Sequence, residues 1–313
     1  MSPTRDPRLL VVAIGSRALQ RGGGPGGREA WLRALERSLP PLVDIAIAGY
    51  RIVVVPGAAP LEETSARSSR TVARPLPLDV RAAEAQGLAG YGTQQALDGL
   101  CRARGVGIPV AAVMTRVEVA PDDPAFARPT RPVGPSYSAT QARRLAREHG
   151  WTLLGRAATR RRVVAAPRPR RILEADAIRQ LADAGTITVA ASGGGVPVIA
   201  TAGGYRGVEA ILQEDATAGL LATAVAAGRL VFLTGVDRLE VGHRTVRAIG
   251  VEHLSAAEAR ALTKAREFPA GSIGPKVEAA VEFVEAGGRE AIITSLPAVG
   301  AALDGRAGTR IVP

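Results

Sequence analysis

Six short apolar runs set the rhythm of the chain. They are LLVVAI (9 to 14), RIVVV (51 to 55), IPVAAVM (108 to 114), TITVAA (186 to 191), RLVFLT (229 to 234) and EAIITS (290 to 295). Runs this short and this continuous in branched apolar residues read as strands buried on both faces. Between them the spacing turns helical, near 28 to 48, 79 to 104, 138 to 149, 174 to 184, 215 to 227, 255 to 266 and 276 to 287. Strand–helix alternation predicts an α/β protein with a mainly parallel central sheet covered on both sides. Ligands of such sheets bind beyond the carboxyl ends of the strands. The loops after residues 14, 55, 191 and 234 are therefore the candidate site.

Two stretches break the rhythm. QRGGGPGG (20 to 27) reads as a Gly-rich linker, because its glycines do not join a strand to a helix. Residues 116 to 170 are rich in Pro and Arg and read as an insertion that leaves the sheet and returns.

Three motifs carry candidate chemistry. SGGGVPVI follows the fourth strand, and Gly193, Gly194 and Gly195 let backbone N–H groups approach an anion without Cβ clashes. The competing reading is a tight turn. GSIGPK opens a helix, so Gly274 and Lys276 stand where a helix N-terminus favours phosphate. The competing reading is a Ser272 cap and a surface lysine. Glu214 and Asp215 precede another helix, where they cap it or hold Mg²⁺.

Composition narrows the choices. Hydrophobic residues make up 46% and aromatics only 3%, so the core is built from Ala, Val, Leu and Ile. The single cysteine, Cys101, excludes an intramolecular disulfide and a cysteine-based metal site. His149, His243 and His253 lack metal-ligand spacing. The formal charge is +11, yet 38 of the 40 basic residues are arginine, beside only Lys264 and Lys276. That skew reads as a general preference for Arg, so a retained lysine marks a place where a compact ammonium is needed. The basic residues read as dispersed. The densest run, Arg160 to Arg162 with Arg168, Arg170 and Arg171, contains no aromatic for base stacking. A small acidic or phosphorylated ligand is expected, and no nucleic-acid partner. No apolar run reaches the ~18 residues of a membrane helix, and Leu9 to Ile14 is too short for a signal segment. A cytoplasmic protein without a membrane partner is expected.

Longer stretches make a family resemblance specific. They are AAEAQGLAGYGTQQAL (82 to 97), DDPAFARPTRPVGPSY (122 to 137), RRVVAAPRPRRILE (161 to 174), SGGGVPVI (192 to 199) and GSIGPKVEAAVEFVEAGG (271 to 288). From residue 8 to 312 the chain resembles carbamate kinase, a branch of the amino acid kinase fold. The resemblance implies a three-layer sandwich in two lobes. Residues 1–185 would form the lobe for carbamate or carbamoyl phosphate, with a protruding subdomain at about 116–166. Residues 186–313 would form the nucleotide lobe. It also implies ATP or ADP with Mg²⁺ as cofactor, a homodimer and a place in arginine metabolism.

Site residues follow by resemblance. Lys276 matches the lysine that meets the nucleotide phosphates, and Asp215 the aspartate that organises the lysines and the metal. Gly193 to Gly195 and Gly274 match the glycine elements. Arg131 keeps a cation where the family has lysine. Other positions depart from the pattern. Gly15, Ser16 and Arg17 replace Gly-Gly-Asn after the first strand. Pro56, Gly57, Ala58, Ala59 and Pro60 replace His-Gly-Asn-Gly-Pro after the second. Glu214 replaces a lysine, and Gly235 an aspartate. A lost preorganised donor costs about 3 to 4 kcal/mol in the transition state. Two Asn donors and one cation are gone, so ordinary carbamate kinase turnover is expected to fall by orders of magnitude unless the site is rebuilt. One rebuilding is an Arg17–Glu214 ion pair across the cleft. No metal held directly by protein ligands is expected. Two functions follow: an ATP-dependent phosphotransferase on carbamate or a related small acid, or an inactive homologue acting as a binding or regulatory subunit.

Overall fold

Strand β1 (Asp6–Ile14) buries Leu9 to Ile14 without a break and divides them between two cores. Leu9, Val11 and Ala13 enter one cluster, and Leu10, Val12 and Ile14 the other. Successive strand side chains point to opposite faces, so a continuous apolar run needs cover on both. A computed structural model describes the chain at residues 5–15, 18, 28–57, 76–155, 159–242, 248–269 and 271–313.

In chain order, β1 is followed by α1 (Arg28–Ser38), α2 (Pro40–Ile47), β2 (Arg51–Pro56), α3 (Leu78–Ala103), β3 (Val110–Val113) and β4 (Arg116–Val119). Then come β5 (Arg131–Ser138), α4 (Ala139–His149), β6 (Thr152–Leu154), β7 (Thr159–Val164), β8 (Pro169–Ile172) and α5 (Ala175–Asp183). Next are β9 (Ile187–Ala190), β10 (Val196–Thr201), β11 (Gly204–Gly207), α6 (Glu214–Ala224) and β12 (Ala227–Thr234). The chain ends with β13 (Leu239–Val241), β14 (Ile249–Val251), β15 (His253–Ser255), α7 (Ala256–Lys264), α8 (Ile273–Glu285), β16 (Glu290–Ser295), α9 (Val299–Leu303) and β17 (Thr309–Val312).

Eight strands form the main sheet in the order β15-β17-β16-β12-β1-β2-β9-β3. All its pairings are parallel except β16 with β17. Helices α5, α6, α7 and α8 pack on one face through Ile178, Leu221, Ala259 and Val281. Helices α1, α2, α3 and α9 pack on the other through Leu35, Leu42, Leu97 and Val299. The predicted three-layer α/β sandwich is observed.

Three differences from the sequence reading have local causes. The helical pattern at 28 to 48 is two helices, because Pro40 cannot donate into the first and instead opens the second. The segment after β9 is a turn at Ser192–Gly194, and Val196 onward forms β10. The helix bearing Lys276 starts earlier, at Ile273, which places Gly274 and Lys276 in its first turn. Ser272 makes no side-chain cap there.

The insertion contributes strands to two further sheets. β4 and β8 join β10 and β11 in a four-stranded sheet beside the main one. β5, β7 and β6 form a separate three-stranded sheet. The helix α4 follows directly on β5, with a capping box at Ser138 and Gln141 and left-handed Gly150 closing its end.

Candidate functional site

The carboxyl ends of β12, β1, β2 and β9 lie side by side in the main sheet. Gly15 N–H donates to the Leu233 carbonyl at 3.0 Å, and Gly57 N–H to the Ile14 carbonyl at 3.0 Å. The strand ladder therefore carries on into the loops, and fixes the glycines that begin them.

Lys276 reaches this edge from α8. Its ammonium donates to Asp215 Oδ1 at 2.8 Å, with the side chains only 13% and 15% exposed. A Cβ on Gly15 would stand 3.4 Å from Lys276 Cε and 3.6 Å from its Nζ. The lysine stem thus passes Gly15 at ordinary van der Waals range. Close helix packing makes the pair possible. A Cβ on Gly219 would lie 3.2 Å from the Ala279 carbonyl, so α6 and α8 approach almost backbone to backbone. Gly219 is one turn after Asp215, and Ala279 three residues after Lys276, so the two charged side chains share the facing sides of their helices.

The glycine loop is braced from below. Ala191, Gly193, Gly194 and Gly195 all have positive φ, at 50°, 66°, 93° and 84°. A Cβ at Gly195 would fall 2.6 Å from Val117 Cγ2, and one at Gly194 would fall 3.1 Å from the Leu212 carbonyl. Conformation favours glycine at both positions, and at Gly195 packing requires it as well. Buried Gln86 accepts from Thr115 N–H at 2.5 Å and donates to its carbonyl at 3.1 Å. Thr115 Oγ1 accepts from Ala191 N–H at 2.9 Å, and Thr217 Oγ1 donates to the Gly194 carbonyl at 3.1 Å. A left-handed alanine costs about 1–3 kcal/mol and persists where surrounding bonds over-determine it.

Two openings lie beside the glycine loop and the starts of α6 and α8. Gly193 and Gly195 line one with Ser192, Arg81, Val133 and Gly134. Arg131 lines the other, a cleft of about 520 Å³, with Gln213, Ala216 and Pro275 from the starts of α6 and α8. Ile211 and Leu212 border both.

The structure therefore brings Gly15, Lys276 and Asp215 together; Gly193 and Gly195 line one opening, Arg131 lines the other, and Gly274 shares the first turn of α8 with Lys276. Glu214 is half-buried at the first residue of α6. Ser16, Arg17, Ala58, Ala59 and Pro60 lie outside the described residues, and with them the Arg17–Glu214 pair. Gly235 follows β12 directly. Among the described residues no group of three or more His, Cys, Asp or Glu could hold a metal ion. Arg81, Gln86, Thr115 and Thr217 are not singled out by the sequence reading. Arg81 precedes the stretch 82 to 97 and Gln86 lies within it, but that stretch gave neither a role, and the bonds of Thr115 and Thr217 span long sequence separations.

The amino acid kinase family model matches residues 8–295. The chain belongs to the amino acid kinase family. Within that family it is homologous to carbamate kinases. It is 37% identical to carbamate kinase of Pyrococcus furiosus, covering 98% of this chain and 99% of that one. It is 36% identical to carbamate kinase of Pyrococcus horikoshii, covering 98% and 100%. Carbamate kinase from Giardia lamblia bound to AMP-PNP superposes with a TM-score of 0.90 at 32% identity, covering 100% of this chain and 99% of that one. The amino acid kinase fold expected from the motifs is thus established, and the site at the strand ends sits in a carbamate-kinase-like frame.

Proposed function

We propose that the protein moves a phosphoryl group between a nucleotide and a small carbamate- or carboxylate-type acid. The observation that carries this reading is the Lys276–Asp215 pair held against Gly15 at the strand ends. Phosphoryl transfer asks the protein mainly for positioning and for positive charge around the oxygens in flight. Lys276 supplies that charge from a helix start, and Asp215 fixes where it points. The residues of 186–313 are assigned to the nucleotide. The acceptor falls to the N-terminal residues and the loops after β1 and β2. Arg131 lines the cleft and suits a phosphate.

Mg²⁺, when bound on the nucleotide, neutralises phosphate charge. Asp215 and Glu214 are oxygen donors of the kind it takes, and it commonly completes its shell with water and phosphate oxygens. A soluble cytoplasmic homodimer suits the resemblance.

Glu214 favours a second reading. A carboxylate where the resemblance places a lysine repels a transferring phosphoryl group, as expected of a homologue retained for binding or regulation. The two separate in one assay. The protein is mixed with carbamoyl phosphate, ADP and Mg²⁺, and ATP formation is followed beside Glu214→Lys. Wild-type turnover supports the kinase. ADP binding without wild-type turnover, restored by Glu214→Lys, supports the non-catalytic homologue.

A further inference from the structure

Counted by segment, the formal charge is concentrated, which corrects the expectation of dispersed basic residues. Residues 128–171 hold twelve arginines and one acid, Glu148, for a net +11. The other 269 residues hold 28 basic and 28 acidic side chains and are neutral. A general preference for arginine explains the kind of cation but not this segregation.

Most of the segment is a structural unit, the β5-β7-β6 sheet with α4; its last residues, from Pro169 on, run into β8 of the four-stranded sheet. Arg143, Arg144 and Arg147 are exposed on α4, and Arg161 on β7. Arg128, Arg131, Arg168 and Arg170 are exposed where the unit joins the body. Acids of the body meet only some of this charge. Arg162 pairs with Glu209 at 2.7 Å, Arg168 with Glu282 at 2.7 Å and Arg171 with Glu118 at 2.8 Å. The unit borders both openings of the site, through Arg131 and Arg168 at one and Val133 and Gly134 at the other.

The surface does not suit a macromolecular dock. Leu154 is the one large apolar side chain exposed among the described residues of the unit, whereas protein interfaces centre on apolar and aromatic anchors. Trp151, the aromatic best suited to stack a base, already lies against Arg162 at 4.4 Å and His149 at 4.9 Å.

We propose that this unit is an electrostatic collector for the small phosphorylated substrates of the cleft. The proposal rests on the kinase reading, in which both carbamoyl phosphate and the nucleotide are multiply charged anions. A one-sign surface beside a cleft focuses field and raises the association rate of opposite charges by ~10 to 10³. The reach of each arginine is set by screening, about 8 Å at 0.15 M salt and about 30 Å at 0.01 M. Arginines at the cleft act at any salt. The α4 arginines do not line either opening and act from a distance only when salt is low.

The test uses the full chain and its variant Arg143→Gln/Arg144→Gln/Arg147→Gln. Association of fluorescently labelled ADP is followed by stopped flow between 10 and 500 mM salt, with ATP formation measured on the same samples. The expected result is a steep fall of the wild-type association rate with salt. The variant starts about 10-fold lower at 10 mM salt and converges with wild type above about 0.15 M, with kcat unchanged. Identical salt dependence in the two proteins, with turnover intact, overturns the collector and leaves the kinase reading standing. Absence of both ADP association and turnover overturns both. Capture of duplex DNA at 0.15 M salt that the variant loses, with ADP association unaltered, assigns the surface to a polyanion and also overturns the collector.

Discussion

The Lys276 ammonium donates to Asp215 Oδ1 at 2.8 Å across two helices that touch through Gly219 and Ala279. The carboxylate holds a mostly buried cation in place, and Asp215→Asn keeps the shape while removing the counter-charge. Because the pair retains some exposure, solvent screening limits the loss of stability to about 1–3 kcal/mol. The loss in phosphoryl transfer is larger, about 10²-fold, because the lysine is no longer oriented. Urea unfolding and steady-state turnover on the same sample separate the two effects.

Gly219→Leu tests the helix contact itself. A side chain there meets the Ala279 carbonyl, parts α6 from α8 and draws Lys276 away from Asp215. Overpacking of this kind costs about 1–3 kcal/mol. Nucleotide affinity is expected to fall with the melting temperature, by calorimetry and thermal unfolding.

The glycine loop supplies a contrast. Gly195→Ala combines φ +84° with a contact 2.6 Å from Val117 Cγ2, and is expected to destabilise the fold by about 1–3 kcal/mol. Gly99→Ala lies in the interior of α3 with nothing within 4 Å of its Cβ, and is expected to stabilise by about 0.5–1 kcal/mol. Opposite shifts in thermal midpoint confirm that conformation, rather than glycine content, decides.

At the other end of the strands, Glu290 is buried between Arg229, at 2.6 Å, and Arg310. Glu290→Ala leaves two mostly buried arginines facing each other without a counter-charge. A loss of roughly 3–5 kcal/mol in unfolding free energy is expected. The site at the carboxyl ends is remote, so kcat of the folded fraction should be unchanged.

Cys101 gives a pH prediction. Burial, reinforced by Asp98, pushes its thiol above the ordinary 9.0. The folded state thus favours the neutral thiol. Its contribution to stability is complete below the ordinary value and declines as pH rises through 9.0 toward the raised one. At pH 8 the native thiol should resist an aromatic disulfide reagent that reacts at once in guanidinium.

Much of this was legible in the sequence. Runs such as LLVVAI are buried on both faces, so their continuity alone announced a covered sheet. Lys276 stood out because lysine is rare here, and Asp215 because it opens a helix. The contact of Lys276 with Gly15 was not legible, since residues 261 positions apart meet only when the sheet is assembled. Nor was the Gln86–Thr115–Ala191 brace, because a buried glutamine inside an alanine-rich helix has no periodic signal. The segregation of charge in residues 128–171 emerges only when acids are counted beside the arginines, because arginines alone recur along the whole chain.

ATP formation from carbamoyl phosphate and ADP, measured for wild type beside Lys276→Ala with both shown to be folded, tests the central claim most directly. The account predicts measurable wild-type turnover that falls by about 10²–10³ in the variant. Equal turnover in the two proteins, or none in wild type at millimolar substrates, would contradict it.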